Sequence, residues 1–437
     1  MQPICCQNER QEKCEIGWFK FLQTKLQSWC MTWHLGRDFN GASLALATYL
    51  LAAPALAQTS DAWEQCAGTH AATVDKQIDA CTLAVQSSGD APVRLVQALM
   101  ARAMAFMTKG DYDRAIQDYD QALSLDSKNG LAFNNRGFAY GRIGDFDRAI
   151  GDYENSIRLN PEAPLPLFNR GEIYAKRWDF DRAIADYDKA IALKPSFSQA
   201  ILNRGFMYAA KADYQRAIED YDRAIRLSPG VAVAFYNRGV AYARTHDFDR
   251  AIQDYNEALR LDPNYAWAHY RRGEAYANKR DFDRAIQDYD RTVYLDPNNA
   301  GAFNDSGFVR ASKGDFDGAI RDYDQAIWLA PDFAKALYNR GSAYTERREF
   351  ERAIQDYDQV IRLDPRYVEA FVNRGFVYAT KGDYDRAIPD FDKAIELNPN
   401  FAEAFLNRGI AKLRSGDPAS GNADIAIAKQ LDSTIGY

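Results

Sequence analysis

Residues 110–123 read GDYDRAIQDYDQAL, and nearly the same words return at 144–157 (GDFDRAIGDYENSI) and at 382–395 (GDYDRAIPDFDKAI), with variants at 34-residue steps between. A catalytic segment has no reason to repeat itself. A structural unit that must stack on copies of itself does, because its apolar face can be covered only by a neighbour. The 437 residues could hold two or three globular domains, but a fixed internal period favours one elongated array.

Numbered from 1 to 34, full copies begin at 96, 130, 164, 198, 232, 266, 300, 334 and 368, and a weaker one at 402. Position 8 is glycine from Gly137 to Gly409 and position 20 is alanine from Ala115 to Ala387, so two helices of one copy can approach closely. Aromatic residues at position 11 (Tyr140, Tyr174), 17 (Tyr112, Phe146) and 24 (Tyr119, Tyr153) fill the space around that contact. Gly-Asp at positions 15 and 16 supplies a left-handed C-terminal cap and then an N-cap. Proline at position 32, from Pro161 to Pro399, ends the second helix. Each copy therefore reads as helix, tight turn, helix, proline stop.

This pattern resembles the tetratricopeptide repeat family, with its 34-residue period, small residues at positions 8, 20 and 27, aromatics at 11 and 24 and proline at 32. The resemblance implies an all-α fold, a right-handed superhelical solenoid of stacked antiparallel helix pairs. It divides the chain into an N-terminal extension plus signal peptide (1–57), a degenerate N-terminal capping repeat (58–95), nine repeats (96–401) and a degenerate C-terminal repeat (402–437). In the degenerate first copy DKQIDACTLAV (75–85) aligns with DRAIQDYDQAL, which puts Cys81 where the second-helix aromatic belongs and Cys66 on a shortened first helix.

The leader assignment rests on 41–57, GASLALATYLLAAPALA, an apolar run ending in an A-x-A signal before Gln58. Forty residues before it, with Cys5, Cys6, Cys14 and Cys30, are too many for an ordinary signal peptide, so translation is expected to start at Met31 and cleavage to follow Ala57. The expected location is periplasmic or secreted, with no stable membrane span after cleavage; a cytoplasmic protein with 41–57 as a buried helix is the alternative. Export would leave two cysteines, Cys66 and Cys81, whose pairing would stabilise the fold by roughly 3 kcal/mol. In a cytosolic protein they would be two buried free thiols.

One departure from the family pattern is systematic. Position 7, normally apolar, is arginine in nine of ten copies, and position 23 is aspartate in all ten. Facing pairs such as Arg136 and Asp152, Arg170 and Asp186, Arg204 and Asp220, and Arg238 and Asp254 are expected to form a ladder of partly buried ion pairs rather than a grip for anionic ligands. The copy 300–333 breaks the pattern with Ser306, Arg310 and Gly318 while keeping Asp322. It is either a soft joint or specialised contact point, or drift, with Arg310 as a candidate substitute partner for Asp322.

Catalysis has little to stand on. The histidines are dispersed, no cluster has metal-ligand spacing, and there is no GxSxG, HExxH or phosphate loop. Aspartates that recur once per copy serve structure, whereas catalytic carboxylates come as one uneven pair. No enzyme activity, cofactor or metal is expected. The net charge of −7, with most arginines close to aspartates, makes nucleic acid a poor partner.

The resemblance places positions 2, 5, 9, 12 and 13 of the first helices on a concave face. At position 5 this gives Phe168, Tyr236, Tyr270 and Tyr338; at position 9, Phe138, Glu172, Phe206, Glu274, Phe308 and Phe376, in front of small residues at position 12. Such an aromatic, apolar groove suits a protein or peptide partner held by side-chain pockets. Position 5 is never lysine, which disfavours the carboxylate-tail clamp of chaperone-binding members. The expected function is a non-catalytic interaction scaffold of the cell envelope. A glycan- or peptidoglycan-binding envelope protein is the runner-up, and a co-chaperone-like cytosolic adaptor follows if the leader is retained. Partner identity and oligomeric state are not legible.

Overall fold

The computed structural model describes residues 60–68, 73–88 and 91–435. The leader, Met31, Cys5, Cys6, Cys14, Cys30 and His70 lie outside them. All regular structure among the described residues is helical. The expected single array divides into two compact units, one ending at Lys211 and the other beginning at Ala212.

The first unit pairs Ser60–Cys66 with Val74–Ser87, Pro92–Lys109 with Tyr112–Leu125, Gly130–Arg142 with Phe146–Leu159, and Pro164–Lys176 with Phe180–Leu193, and ends on Ser198–Ala210. The helix expected from 96 begins earlier, because Pro92 is preorganised for a first helical position. The sulfurs of Cys66 and Cys81 are 2.12 Å apart, at bonding distance, among buried Ala80, Ala84 and Ala98.

The second unit opens on Tyr214–Leu227 and then pairs Ala232–Arg244 with Phe248–Leu261, Ala266–Asn278 with Phe282–Leu295, and Ala300–Ser312 with Phe316–Leu329. Ala334–Glu346 with Phe350–Leu363, Val368–Thr380 with Tyr384–Leu397, and Ala402–Ser415 with Pro418–Leu431 complete it. Within a pair the seam is made by the position-8 glycine. A Cβ on Gly239 would sit 2.8 Å from Cε1 of Tyr255, so the ring occupies the space a side chain would need. Tyr255 itself is fully buried, as are Ala251 and Ala258 on the same helix.

The turn between paired helices is fixed by two residues. The position-15 residue is left-handed, and Asp247, at position 16 of its copy, accepts the Arg250 backbone N–H at 3.0 Å. The Arg250 side chain returns to the same carboxylate at 2.6 Å and lies 4.4 Å from the Tyr242 ring centroid. These hydrogen bonds, the backbone one foremost, hold the Asp247 carboxyl below its ordinary value.

The turn at 348–349 lacks both fixing residues. Arg348 takes φ of 60°, which costs a non-glycine residue about 1–2 kcal/mol, and Glu349 makes no side-chain cap. Replacing the two by the repeat's own Gly-Asp (Arg348→Gly with Glu349→Asp) is therefore expected to stabilise the second unit by about 1–2 kcal/mol. Urea titration of the variant beside the wild type checks this; an unchanged or lower midpoint would mean that the turn is held by contacts other than its own backbone.

Candidate peptide-binding face

The arginine at position 7 meets the aspartate at position 23 in a side-on fork. Arg136 donates from Nε and Nη2 to the two oxygens of Asp152 at 2.8 and 2.7 Å, Arg170 does the same to Asp186, and Arg238 to Asp254 at 2.8 and 2.6 Å. The aspartates are buried and the arginines mostly so. Burial pushes the Asp254 carboxyl up, while its hydrogen bond to Arg238 holds that guanidinium firmly protonated.

Each arginine has a second task that the sequence did not suggest. Its remaining Nη1 reaches back to position 25 of the preceding copy: Arg136 to Asp120, Arg204 to Asp188 and Arg238 to Asp222, each at 2.6 Å. The ladder therefore ties copies to one another as well as helices within a copy. Asp220, expected opposite Arg204, is buried and belongs to the other compact unit. With Nε, Nη1 and Nη2 each bonded to a carboxylate, the charge of Arg136 and of Arg238 is already matched by two aspartates of the protein itself.

In the copy 300–333 the pairing is rebuilt. Asp322 accepts from Ser306 Oγ at 2.7 Å and Arg310 Nε at 2.8 Å, and Arg310 Nη2 reaches back to Asp290 at 2.7 Å. Moving the arginine one helical turn removes the position-11 ring, and Gly318 accordingly replaces the arginine that elsewhere covers that ring. The three departures are one compensated change.

The position-5 side chains are more buried than a ligand-facing role requires. Tyr236 is 8% exposed, its ring 4.9 Å from that of Tyr265 and 6.1 Å from that of Tyr255. The ring, expected to face a ligand, fills the corner between the first helix, the second helix and the following loop of its own copy. Phe168 packs in the same way on Tyr187 and Phe197, and Tyr338 on Tyr357 and Tyr367, though both keep a partly open edge. Tyr270 lies 5.8 Å from Tyr289 and donates to Asp305 at 2.6 Å. These rings therefore offer at most a partly open edge, and not a full face, for stacking on sugar.

Asparagines at position 6 join neighbouring copies through position 5: Asn169 donates to Asn134 at 3.0 Å, Asn339 to Asn304 at 2.9 Å and Asn373 to the Tyr338 hydroxyl at 3.0 Å. Where the sequence changes to Arg271, the guanidinium keeps the link, with a hydrogen bond to Tyr236 of the preceding copy, and also donates to Glu274 at 2.6 Å. Glu172 is half-buried, and desolvation pushes its carboxyl up. Glu274, held by Arg271, is therefore not a free anionic handle.

Position 9 is different. Phe308 and Phe376 are 48% and 47% exposed, and Phe138 and Phe206 are partly exposed in the first unit. There the position-2 residues Leu131 and Leu165, 47% and 46% exposed, extend the apolar surface. Sequence reasoning passed over these leucines; their recurrence at one repeat position on the face already inferred was the signal available. Among the described residues no group of His, Cys, Asp or Glu converges to hold a metal ion, and no helix is long and apolar enough to cross a membrane.

Among solved structures the chain is similar to YrrB, described as a TPR protein with an unusual peptide-binding site: 28% identity over 42% of this chain and 95% of that one, TM-score 0.38. MamA from Desulfovibrio magneticus RS-1 is 26% identical over 39% of this chain and 96% of its own, TM-score 0.38. A tetratricopeptide repeat protein from Parabacteroides merdae ATCC 43184 is 18% identical over 57% and 98%, TM-score 0.44. No curated protein matches. Sequence models of the tetratricopeptide repeat match 104–144, 134–197 and 207–245, then 232–265, 254–287, 273–340, 341–382 and 368–401. These matches extend over more than half of the chain, two of them, 232–265 and 368–401, coinciding with single 34-residue copies, and the chain belongs to the tetratricopeptide repeat family.

Proposed function

We propose that the chain is a non-catalytic scaffold of the cell envelope that holds a peptide or protein segment on the first-helix faces. The observation that carries this is the pair Phe308 and Phe376, half-exposed rings at one repeat position two copies apart, with Ala311 and Ala379 three residues further along each helix. A half-exposed ring with a small neighbour can seat an apolar side chain, and two of them at repeat spacing read side chains separated along an extended or helical ligand. Partly open edges of Tyr270 and Tyr338 line the same face of the second unit. In the first unit Phe138, Phe168 and Phe206 with Leu131 and Leu165 offer a comparable surface.

Export is supported by the A-x-A signal and by the bonding distance between Cys66 and Cys81, since disulfides persist in oxidising compartments. The non-reduced mass of the protein recovered from fractionated cells tests it. A periplasmic species beginning at Gln58 supports the proposal, and an uncleaved cytosolic species with free thiols overturns it. For the binding face, peptides selected against the full chain from a displayed random library are expected to lose about tenfold or more in affinity on Phe308→Ala or Phe376→Ala, as fits loss of one buried phenyl contact. Unfolding midpoints should stay put. Selected peptides that bind both variants as tightly as the wild type would sink the assignment of this face.

A further inference from the structure

The second helices also carry an exposed stripe that neither the repeat nor the groove explains. Repeat positions 22, 26 and 29 are separated by four and three residues and share one side of a helix. In the five helices from Tyr214–Leu227 to Phe350–Leu363 these positions hold six arginines against two glutamates, on a chain whose net charge is −7. At the centre of this basic stripe stand Tyr294 and Trp328, both at position 29 of successive copies, 73% and 76% exposed.

The fold does not require either ring. The same position holds Ser124, Arg158, Ala192, Arg260 or Glu396 in other copies. Among the stripe arginines Arg260 is paired, with Glu257 at 2.8 Å, but Arg291, Arg321 and Arg362 are not held as those at positions 7 and 19 are, which sit on carboxylates, as Arg238 does on Asp254 and Arg250 on Asp247. Arg291 instead reaches Asn264 at 2.9 Å and lies 5.0 Å from the Tyr294 ring, and Arg362 reaches Gln359 at 2.8 Å. Among the described residues none of Arg291, Arg321 and Arg362 meets a carboxylate. The carboxylates next to Arg291 and Arg321 or three residues on, Asp290, Asp322 and Asp324, are already engaged by Arg310 and Arg340.

Tryptophan, tyrosine and arginine are the residues that anchor protein interfaces, and arginines without counter-charges call for carboxylates from outside. We infer that the stripe centred on Arg291, Tyr294, Arg321 and Trp328 is a docking surface for an acidic polypeptide segment, separate from the first-helix groove. The segment's carboxylates pair with the arginines, and its apolar portions cover the two rings.

Fluorescently labelled poly-L-glutamate is the probe, with binding to the full chain followed by anisotropy at low and at physiological ionic strength. Binding is expected, weakening as salt rises. It should fall about tenfold or more in the double variant Arg291→Glu, Arg321→Glu and several-fold in Trp328→Ala, and stay unchanged in Phe308→Ala. All the substituted stripe side chains are exposed or partly so, so equal unfolding midpoints separate lost docking from lost fold. No binding of poly-L-glutamate, or binding indifferent to both stripe variants, overturns the inference. So does binding to phosphatidylglycerol vesicles that needs Arg291, Arg321 and Trp328 while poly-L-glutamate is ignored, because the stripe would then be a membrane contact.

Discussion

Replacing Arg238 by alanine is expected to destabilise the helix pair Ala232–Arg244 and Phe248–Leu261 by about 3–5 kcal/mol. The size follows from what is left behind. Asp254 is 4% exposed and both its oxygens accept from Arg238, so alanine strands a carboxylate where water does not reach. Asp222, the second partner, is 35% exposed and recovers its hydration, so it adds little. The net worth of the pair is much smaller than the cost of breaking it, because both ions were desolvated to form it. The double replacement Arg238→Met with Asp254→Leu should therefore regain most of the loss. Since repeat arrays need not unfold in one step, amide hydrogen exchange within 232–261 is the suitable measurement. A loss below about 1 kcal/mol for the single variant would mean that the pair behaves like a surface ion pair and that water enters the seam.

The same pair shows what the sequence makes legible. That Arg238 and Asp254 face one another follows from the 34-residue register, since both recur at fixed positions of every copy but one. That Arg238 also grips Asp222 does not follow, because it depends on how far one copy is rotated against the next, and the repeat alone leaves that free. Position 5 has the same lesson. An aromatic on a first helix could face either a ligand or its own packing corner, and hydrophobic pattern treats the two alike. Tyr236 is buried because Tyr265, at the last position of its copy, closes over it, whereas Phe308 at position 9 has no such cover and stays half-exposed. The turns were legible where glycine and aspartate announce them; Trp178, His246, Arg280 and Arg348 take the same left-handed conformation without the residue that favours it, because packing of the two helices over-determines the link. Arg310 could be paired with Asp322 from the chain alone, since the loss of one arginine and the gain of another lie one helical turn apart.

Tyr255 gives the sharpest contrast between a ring and its hydroxyl. The ring is fully buried and fills the gap that Gly239 leaves, so Tyr255→Ala opens a cavity at the centre of the helix pair and should cost about 3–5 kcal/mol. The hydroxyl contributes nothing comparable, since no protein group among the described residues hydrogen-bonds to it. Desolvation pushes its ionisation well above the ordinary tyrosine value, as befits an apolar setting. The repeat has tried the alternative: Phe391 stands at the equivalent position over Gly375, fully buried, with the same seam intact. Tyr255→Phe is therefore expected to be neutral or to stabilise by up to about 1 kcal/mol, because a buried hydroxyl without a partner is a cost that phenylalanine removes. Unfolding midpoints of the two variants decide the matter. If Tyr255→Phe lost more than about 1 kcal/mol, the hydroxyl would have to be hydrogen-bonded in solution, and position 24 would carry a polar role in addition to filling space. If instead Tyr255→Ala were mild, the position-8 glycine and the ring would not form one seam, and the spacing that defines the repeat would have to draw its stability from the stacking of copies rather than from the closure of each pair.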